Sequence, residues 1–246
     1  MPIVMTRSNS SDNSTTTDEQ TVKRAVILAS GGMDSATVAY EALERGYEPY
    51  FLHTSYGQRT ETKEFECAKR QAKELDAGFL HVETSHLATI GGSSLTDDEM
   101  TVEDADLESD EVPDTYVPFR NANLLSMAVS CAEANDCEAV FIGAHSEDFS
   151  GYPDCRPEFF EAFQGVVDTG TKDETNIELV APFVEFRKTD IAERGVELDV
   201  PYELTWSCYR AEEPACGTCD SCALRLQAFQ NVGVRDPIEY EERPDY

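Results

Sequence analysis

Near the C-terminal end, Cys208, Cys216, Cys219 and Cys222 stand in the string TWSCYRAEEPACGTCDSCALRLQAF with seven, two and two residues between them. Two-residue gaps fold into short knuckles that bring pairs of sulfurs together, and four soft thiolates suit a tetrahedral zinc ion at about 2.3 Å from each sulfur. With every position filled by sulfur, such an ion has no open place for a substrate, so its role is structural. An iron–sulfur cluster is the rival use of four thiolates, and zinc is favoured because no redox chemistry is otherwise indicated. Disulfides are the reading for a secreted chain, and no secretion signal is visible.

A second chemistry-bearing string is VILASGGMDS, residues 26–35. An apolar run stops at Gly31 and Gly32, where the backbone is free to adopt positive φ and to bring its N–H groups close to an anion. Ser30 and Ser35 add donors, and a following helix adds its positive end. That describes a phosphate cradle. No Gly-Lys-Ser/Thr follows and the glycine spacing of a dinucleotide fingerprint is missing, so the turn suits a departing pyrophosphate. The same residues also fit a plain glycine-rich turn with Asp34 as helix cap.

Short segments rich in β-branched and aromatic residues at 24–30, 48–54, 78–83, 138–144 and 177–183 read as buried strands. Helical patterns fall between them at about 35–46, 60–76, 120–135 and 156–168. Alternation of this kind predicts an α/β fold with a doubly wound parallel sheet, in which ligands sit at the carboxyl ends of the strands. The expected organisation is a leader over 1–22, an α/β domain over 23–200 and a small zinc-binding helical subdomain over 201–246. The leader is almost wholly polar over 6–21, too poor in apolar surface to order itself.

The chain carries 49 acidic and 19 basic residues, a formal charge of −30, and its acid is spread along the whole length. Dispersed carboxylates with scarce lysine fit a protein of a salt-loaded cytosol, where screening relieves the repulsion. They argue against a stable nucleic-acid partner, which needs clustered Lys and Arg. No run of eighteen apolar residues suggests a membrane span, and the expected location is the cytoplasm.

The string SGGMDS resembles the pyrophosphate loop of the ATP pyrophosphatases, enzymes that adenylate their substrates. In that resemblance Ala29, Ser30, Gly31, Gly32, Met33, Asp34, Ser35, Ala36, Thr37, Val38 and Ala39 wrap the ATP triphosphate, with Asp34 and Ser35 acting in catalysis. A carboxylate beside phosphates also asks for an intervening cation, and magnesium is the expected one. The strings TYVPFRNANLLSMAVSCAE (115–133), SGYPDCRPEFFEAF (150–163) and ELTWSCY (203–209), together with the four cysteines, resemble the 7-cyano-7-deazaguanine synthases, the QueC family. The resemblance runs from about residue 23 to 239. It departs at Phe119, where a small residue, often glycine, is common, and at the polar strand exit carrying His145 and Glu147. It implies that 7-carboxy-7-deazaguanine, ammonia and ATP give 7-cyano-7-deazaguanine through adenylated carboxylate and amide, for queuosine or archaeosine formation. A homodimer is also implied. A tRNA-thiolating enzyme with the same ATP loop is the alternative.

Beyond that loop, the planar fork of Arg120 could clamp a carboxylate or phosphate from a helix start, or be merely solvated. Tyr152 could stack on the substrate rings, Asp154 accept from their guanidine-like edge, and Arg156 neutralise the carboxylate, although this segment also reads as an ordinary turn. Lys188 could reach phosphate from the loop after the fifth strand or be a surface lysine. Cys155 reads as an inert thiol, and Cys67, Cys131 and Cys137 as core fillers. His53, His81 and His86 lack metal-like spacing. The stretch 96–114, ten carboxylates and no base, reads as a solvated loop that could close over ATP.

Overall fold

A computed structural model of the chain describes residues 22–97, 99–107, 112–148 and 152–246. The leader expected over 1–22 lies outside them except for Val22. Five strands, β1 (Lys23–Leu28), β2 (Tyr47–Ser55), β3 (Gly78–Glu83), β4 (Ala139–Phe141) and β5 (Glu178–Val180), form one sheet in the order β3-β2-β1-β4-β5. Every pairing is parallel. Among the described residues seven α-helices accompany it: α1 (Met33–Glu44), α2 (Glu61–Glu74), α3 (His86–Ile90), α4 (Arg120–Ala134), α5 (Pro157–Gly170), α6 (Lys188–Glu197) and α7 (Asp220–Val232).

Side chains alternate across a strand, so a strand covered on both faces must be apolar throughout. β1 shows this directly. Ala25 and Ile27 pack with Val38, Phe51, Ala68 and Ile191 on one face, while Val26 and Leu28 pack with Leu125, Ala128 and Val140 on the other. The expected doubly wound α/β architecture is therefore present. Strand order reverses between β1 and β4, and the loops leaving these two strands part to open a crevice at their carboxyl ends.

A third apolar cluster joins Trp206, Cys208, Cys219, Cys222 and Ile238 from the C-terminal region to Tyr56, Cys67, Leu95 and Val102. The cysteine region is thus seated against the crevice. Fully buried Arg225 of α7 fastens it, donating from Nε and Nη2 to the two carboxylate oxygens of Asp236 at 2.7 and 2.9 Å and from Nη1 to Thr205 Oγ1 at 2.7 Å.

Not all of the acidic stretch is a free solvated loop. Arg59 donates to the carbonyls of Ser94, Asp97 and Met100, while Arg210 donates to the carbonyl of Val102 and the carboxylate of Asp104. Val102 is buried, and Glu103, Asp104 and Asp106 line the crevice. Residues 98 and 108–111 of that stretch lie outside the described residues.

Candidate functional site

The crevice is a cavity of about 890 Å³. On one side lies the four-residue turn 29–32 between β1 and α1. Gly31 has φ +85°, and a Cβ there would sit 2.3 Å from the Glu64 carbonyl oxygen, so both conformation and space demand glycine. Its own carbonyl accepts from the Trp206 N–H at 2.9 Å and from Gln71 Nε2 at 3.0 Å. The Ala29 carbonyl is 2.7 Å from His53 Nδ1. Desolvation, aided by nearby His81 and only partly offset by that hydrogen bond, pulls the His53 pKa to about 4, so the ring is neutral and donates. Ser35 Oγ donates to the Gly32 carbonyl and lies 3.1 Å from Ser30 Oγ. The turn is held from several directions before any ligand arrives.

Around it further polar groups come from elements far apart in sequence. Lys188, the first residue of α6, donates through Nζ to Asp34 Oδ2 at 2.5 Å and stands 3.3 Å from His145 Nε2. Its backbone N–H donates to Glu147 Oε2 at 2.6 Å. Burial pushes the Asp34 carboxyl upward, but Lys188 and His145, with a smaller contribution from Arg225, outweigh it and hold its pKa below the ordinary carboxylate value. Asp34 Oδ1 is buried with no hydrogen-bond partner among the described residues. Gly143 permits the approach of the two strand exits, because a Cβ there would meet the Asp34 backbone and Cβ at 3.2 Å.

Arg120, at the start of α4, also lines the cavity, with Nη1 3.4 Å from Tyr56 Oη. Burial works against its charge, but Tyr56, Tyr152 and Tyr209 more than compensate, so the guanidinium stays firmly cationic. The preceding residue, Phe119, has φ +56°, the left-handed conformation that glycine adopts without penalty. Tyr152 lines the cavity, its hydroxyl 3.0 Å from Thr115 Oγ1 and its ring 5.7 Å from that of Tyr116.

Of the stretch predicted to hold ATP, Ala29, Ser30, Gly32, Asp34 and Ser35 line the cavity. Gly31 supports the turn through its carbonyl, Thr37 bonds the Met33 carbonyl and lies 2.9 Å from Tyr202 Oη, and Met33, Ala36, Val38 and Ala39 pack into apolar clusters. Asp154 and Arg156 are not among the lining residues. Asp154 Oδ2 instead accepts the Asn121 backbone N–H at 2.8 Å, satisfying a donor in the first turn of α4, so its carboxylate serves the helix that carries Arg120. Arg156 is the residue that leads into α5. Cys155 is buried, lines the cavity and accepts from Asn121 Nδ2. His145 and Glu147 were legible only as unexpected polarity at a strand exit; Glu64, Tyr56 and Tyr209 gave no sequence signal.

The four cysteines converge. One sulfur from each lies within 4.8 Å of the others, and the Cys216 and Cys222 sulfurs are 3.9 Å apart. A tetrahedron with metal–sulfur bonds of about 2.3 Å has edges of about 3.8 Å, so the set fits a single ion. The N–H groups of Arg210, Ala211 and Cys216 donate to Cys208 Sγ at 3.3–3.4 Å, as thiolates held by a metal require.

No helix among the described residues is long and apolar enough to cross a membrane. The chain is 75% identical over 225 residues to a 7-cyano-7-deazaguanine synthase of Haloarcula marismortui, covering 91% of this chain and 97% of that one. It is 57% identical over 221 residues to a 7-cyano-7-deazaguanine synthase of Methanoculleus marisnigri, covering 89% of this chain and all of that one. Among solved structures it is similar to NMN synthetase from Francisella tularensis, with a TM-score of 0.47 and 16% identity over 87% of this chain and 79% of that one. The model of the family described as queuosine biosynthesis protein QueC matches residues 24–233, a span that takes in the turn, both cavity walls and all four cysteines, and the chain belongs to that family.

Proposed function

We propose that this chain is an ATP-dependent ligase that converts 7-carboxy-7-deazaguanine and ammonia into 7-cyano-7-deazaguanine. The observation that carries the reading is the placing of a rigid pyrophosphate turn, with Lys188 and Asp34 beside it, and of cationic Arg120 around one cavity. Relatives named for this product at 75% and 57% identity support it.

A carboxylate resists attack because its leaving group would be oxide. Arg120 holds the substrate carboxylate while one of its oxygens attacks the α-phosphorus of ATP, and the bond to the β-phosphate breaks. The turn and Lys188 stabilise the departing pyrophosphate. Ammonia then attacks the acyl carbon and AMP leaves, giving the amide. The amide oxygen attacks a second ATP, again releasing pyrophosphate, and loss of AMP together with the remaining N–H protons leaves C≡N. Two ATP are consumed for each nitrile.

Asp34, with its unpartnered Oδ1, is the hard oxygen donor that would hold magnesium, which when bound neutralises phosphate charge. Cys208, Cys216, Cys219 and Cys222 would hold one structural zinc, since a multinuclear cluster spreads its thiolates over separate irons. We read the protein as a cytoplasmic homodimer, with ammonia arriving free or from a partner. Incubation of metal-replete protein with ATP, ammonium and the carboxylate tests the reaction: AMP, pyrophosphate and a product of nitrile mass are expected, in a 2:2:1 ratio. Turnover only on addition of tRNA and a sulfur donor would overturn it.

A further inference from the structure

We infer that Glu64 is the catalytic proton acceptor of the nitrogen-transfer steps. The inference rests on the reaction proposed above and assigns within it a group for which the steps so far provide no residue.

Once ammonia has attacked, the adduct carries a positive nitrogen that must lose a proton before AMP, rather than ammonia, is expelled. The adenylated amide must likewise lose both nitrogen-bound protons, one to water to give the neutral imidate and the other to the base as the C–O bond to AMP breaks and the third C–N bond forms. Both transfers need a base beside the acyl carbon. That carbon lies between the turn, where the phosphates sit, and Arg120, which holds the carboxylate.

Glu64 fills that interval. Its backbone carbonyl abuts Gly31, its side chain lines the cavity, and its carboxylate lies in the field of Arg120. Thr60 Oγ1 donates to Oε1 at 2.8 Å and Gln58 Nε2 to Oε2 at 3.0 Å, which fixes the carboxylate while leaving each oxygen capacity for another proton. Desolvation raises its pKa. The hydrogen bonds from Gln58 and Thr60 and the charge of Arg120 offset that only in part, and Glu61 adds to it, so Glu64 is a stronger base than an exposed carboxylate.

Four other cavity groups are otherwise engaged. Lys188 and His145 are gathered around Asp34 on the phosphate side. Burial raises the phenol of Tyr56 above its ordinary pKa, which keeps it protonated at neutral pH. Asp104 is engaged by Arg210. In each nitrogen step Glu64 takes one proton from nitrogen, the electron pair of the broken C–O bond leaves with AMP, and Glu64 returns its proton to water before the next step.

Glu64→Gln keeps the shape and removes the base. Pyrophosphate exchange into ATP, dependent on the carboxylate substrate, should stay within about 3-fold of the parent, while amide and nitrile formation with ammonium should fall about 100-fold or more. Hydroxylamine, whose adduct sheds its proton to water more readily than that of ammonia, should restore acyl transfer as hydroxamate. Glu64→Asp retains a carboxylate one methylene short and should show the same separation at about 10-fold, so it carries the test should the glutamine variant not fold. Nitrile formation by Glu64→Gln within about 3-fold of the parent would overturn the inference. So would loss of exchange in parallel with nitrile in both variants, since that is a binding or structural role. Absence of substrate-dependent exchange in the parent protein would instead defeat the proposed reaction itself.

Discussion

The backbone N–H of Trp206 donates to the Gly31 carbonyl at 2.9 Å, which joins the segment entering the cysteine cluster to the glycine turn between β1 and α1. Two residues on, the Cys208 carbonyl lies 3.2 Å from Thr60 Oγ1, the hydroxyl whose single proton goes to the nearer Glu64 Oε1 at 2.8 Å. The cysteine cluster therefore buttresses a turn to which it contributes no ligand.

Stripping the metal with a chelator, or replacing Cys219 with alanine, should accordingly weaken ATP binding by about 10-fold or more as well as lower the melting temperature. Calorimetric titration with ATP below the melting range measures it. Unchanged ATP affinity in metal-free, folded protein would show that the buttress is dispensable.

Asp34→Asn and Lys188→Met should each lower substrate-dependent pyrophosphate exchange by about 100- to 1000-fold, because each removes part of the charge arrangement at the phosphates. Lys188→Met should also destabilise the fold by about 3 kcal/mol by leaving the Asp34 carboxylate without its cation, and the double variant should recover stability without activity. The folded Asp34 pKa lies below its unfolded value near 3.9, so in that interval the unfolded chain binds more protons and stability rises with pH. Its contribution is complete above the unfolded value and fades as pH falls through the folded one. Urea unfolding of parent and Asp34→Asn between pH 6 and 3 should show the difference shrinking toward acid.

Gly31→Ala tests the close approach of turn and helix. The added carbon would overlap the Glu64 carbonyl at 2.3 Å and impose strain at φ +85°, a cost of about 1–3 kcal/mol from conformation alone. Loss of ATP affinity with a lowered melting temperature is the expected result, whereas Gly46→Ala, at φ +82° but with nothing within 4 Å, should be milder and leave ATP binding intact.

Arg225→Met strands the fully buried Asp236 carboxylate and should cost about 3–5 kcal/mol in urea unfolding. Adding Asp236→Leu should return a large part of that loss, although Tyr240, whose hydroxyl donates to Asp236 at 2.7 Å, then loses its acceptor.

Much of this arrangement is visible in the sequence because it is local. A strand buried on both faces shows as the unbroken run at 25–29, the turn as Gly31-Gly32, and the cluster as cysteines at fixed spacing. All five strands are in place, although the ends of β4 and β5 fall inside the expected ranges because only three residues of each enter the ladder. What sequence order hides is convergence. Lys188 meets Asp34 across 154 positions, and nothing in either neighbourhood announces it. Asp154 is hidden for a related reason: nothing in its turn announces that its carboxylate accepts the Asn121 N–H thirty-three positions away. α6 and α7 have no readable bounds in the sequence: the first shows only as a possible helix start at Lys188, since its apolar positions are few, and the second only as part of a helical zinc-binding subdomain, since metal ligands and their flanks interrupt its pattern.

The bond between Arg225 and Asp236 also links the early and the late parts of the chain. The turn proposed to hold ATP comes early in the chain, at residues 29–32, yet the Thr205–Trp206 segment bonded to it is tied down by a carboxylate about two hundred residues later. A chain that stops short of Asp236 would carry all five strands and still lack the carboxylate that fixes Arg225 beside Thr205 and the neighbouring Trp206.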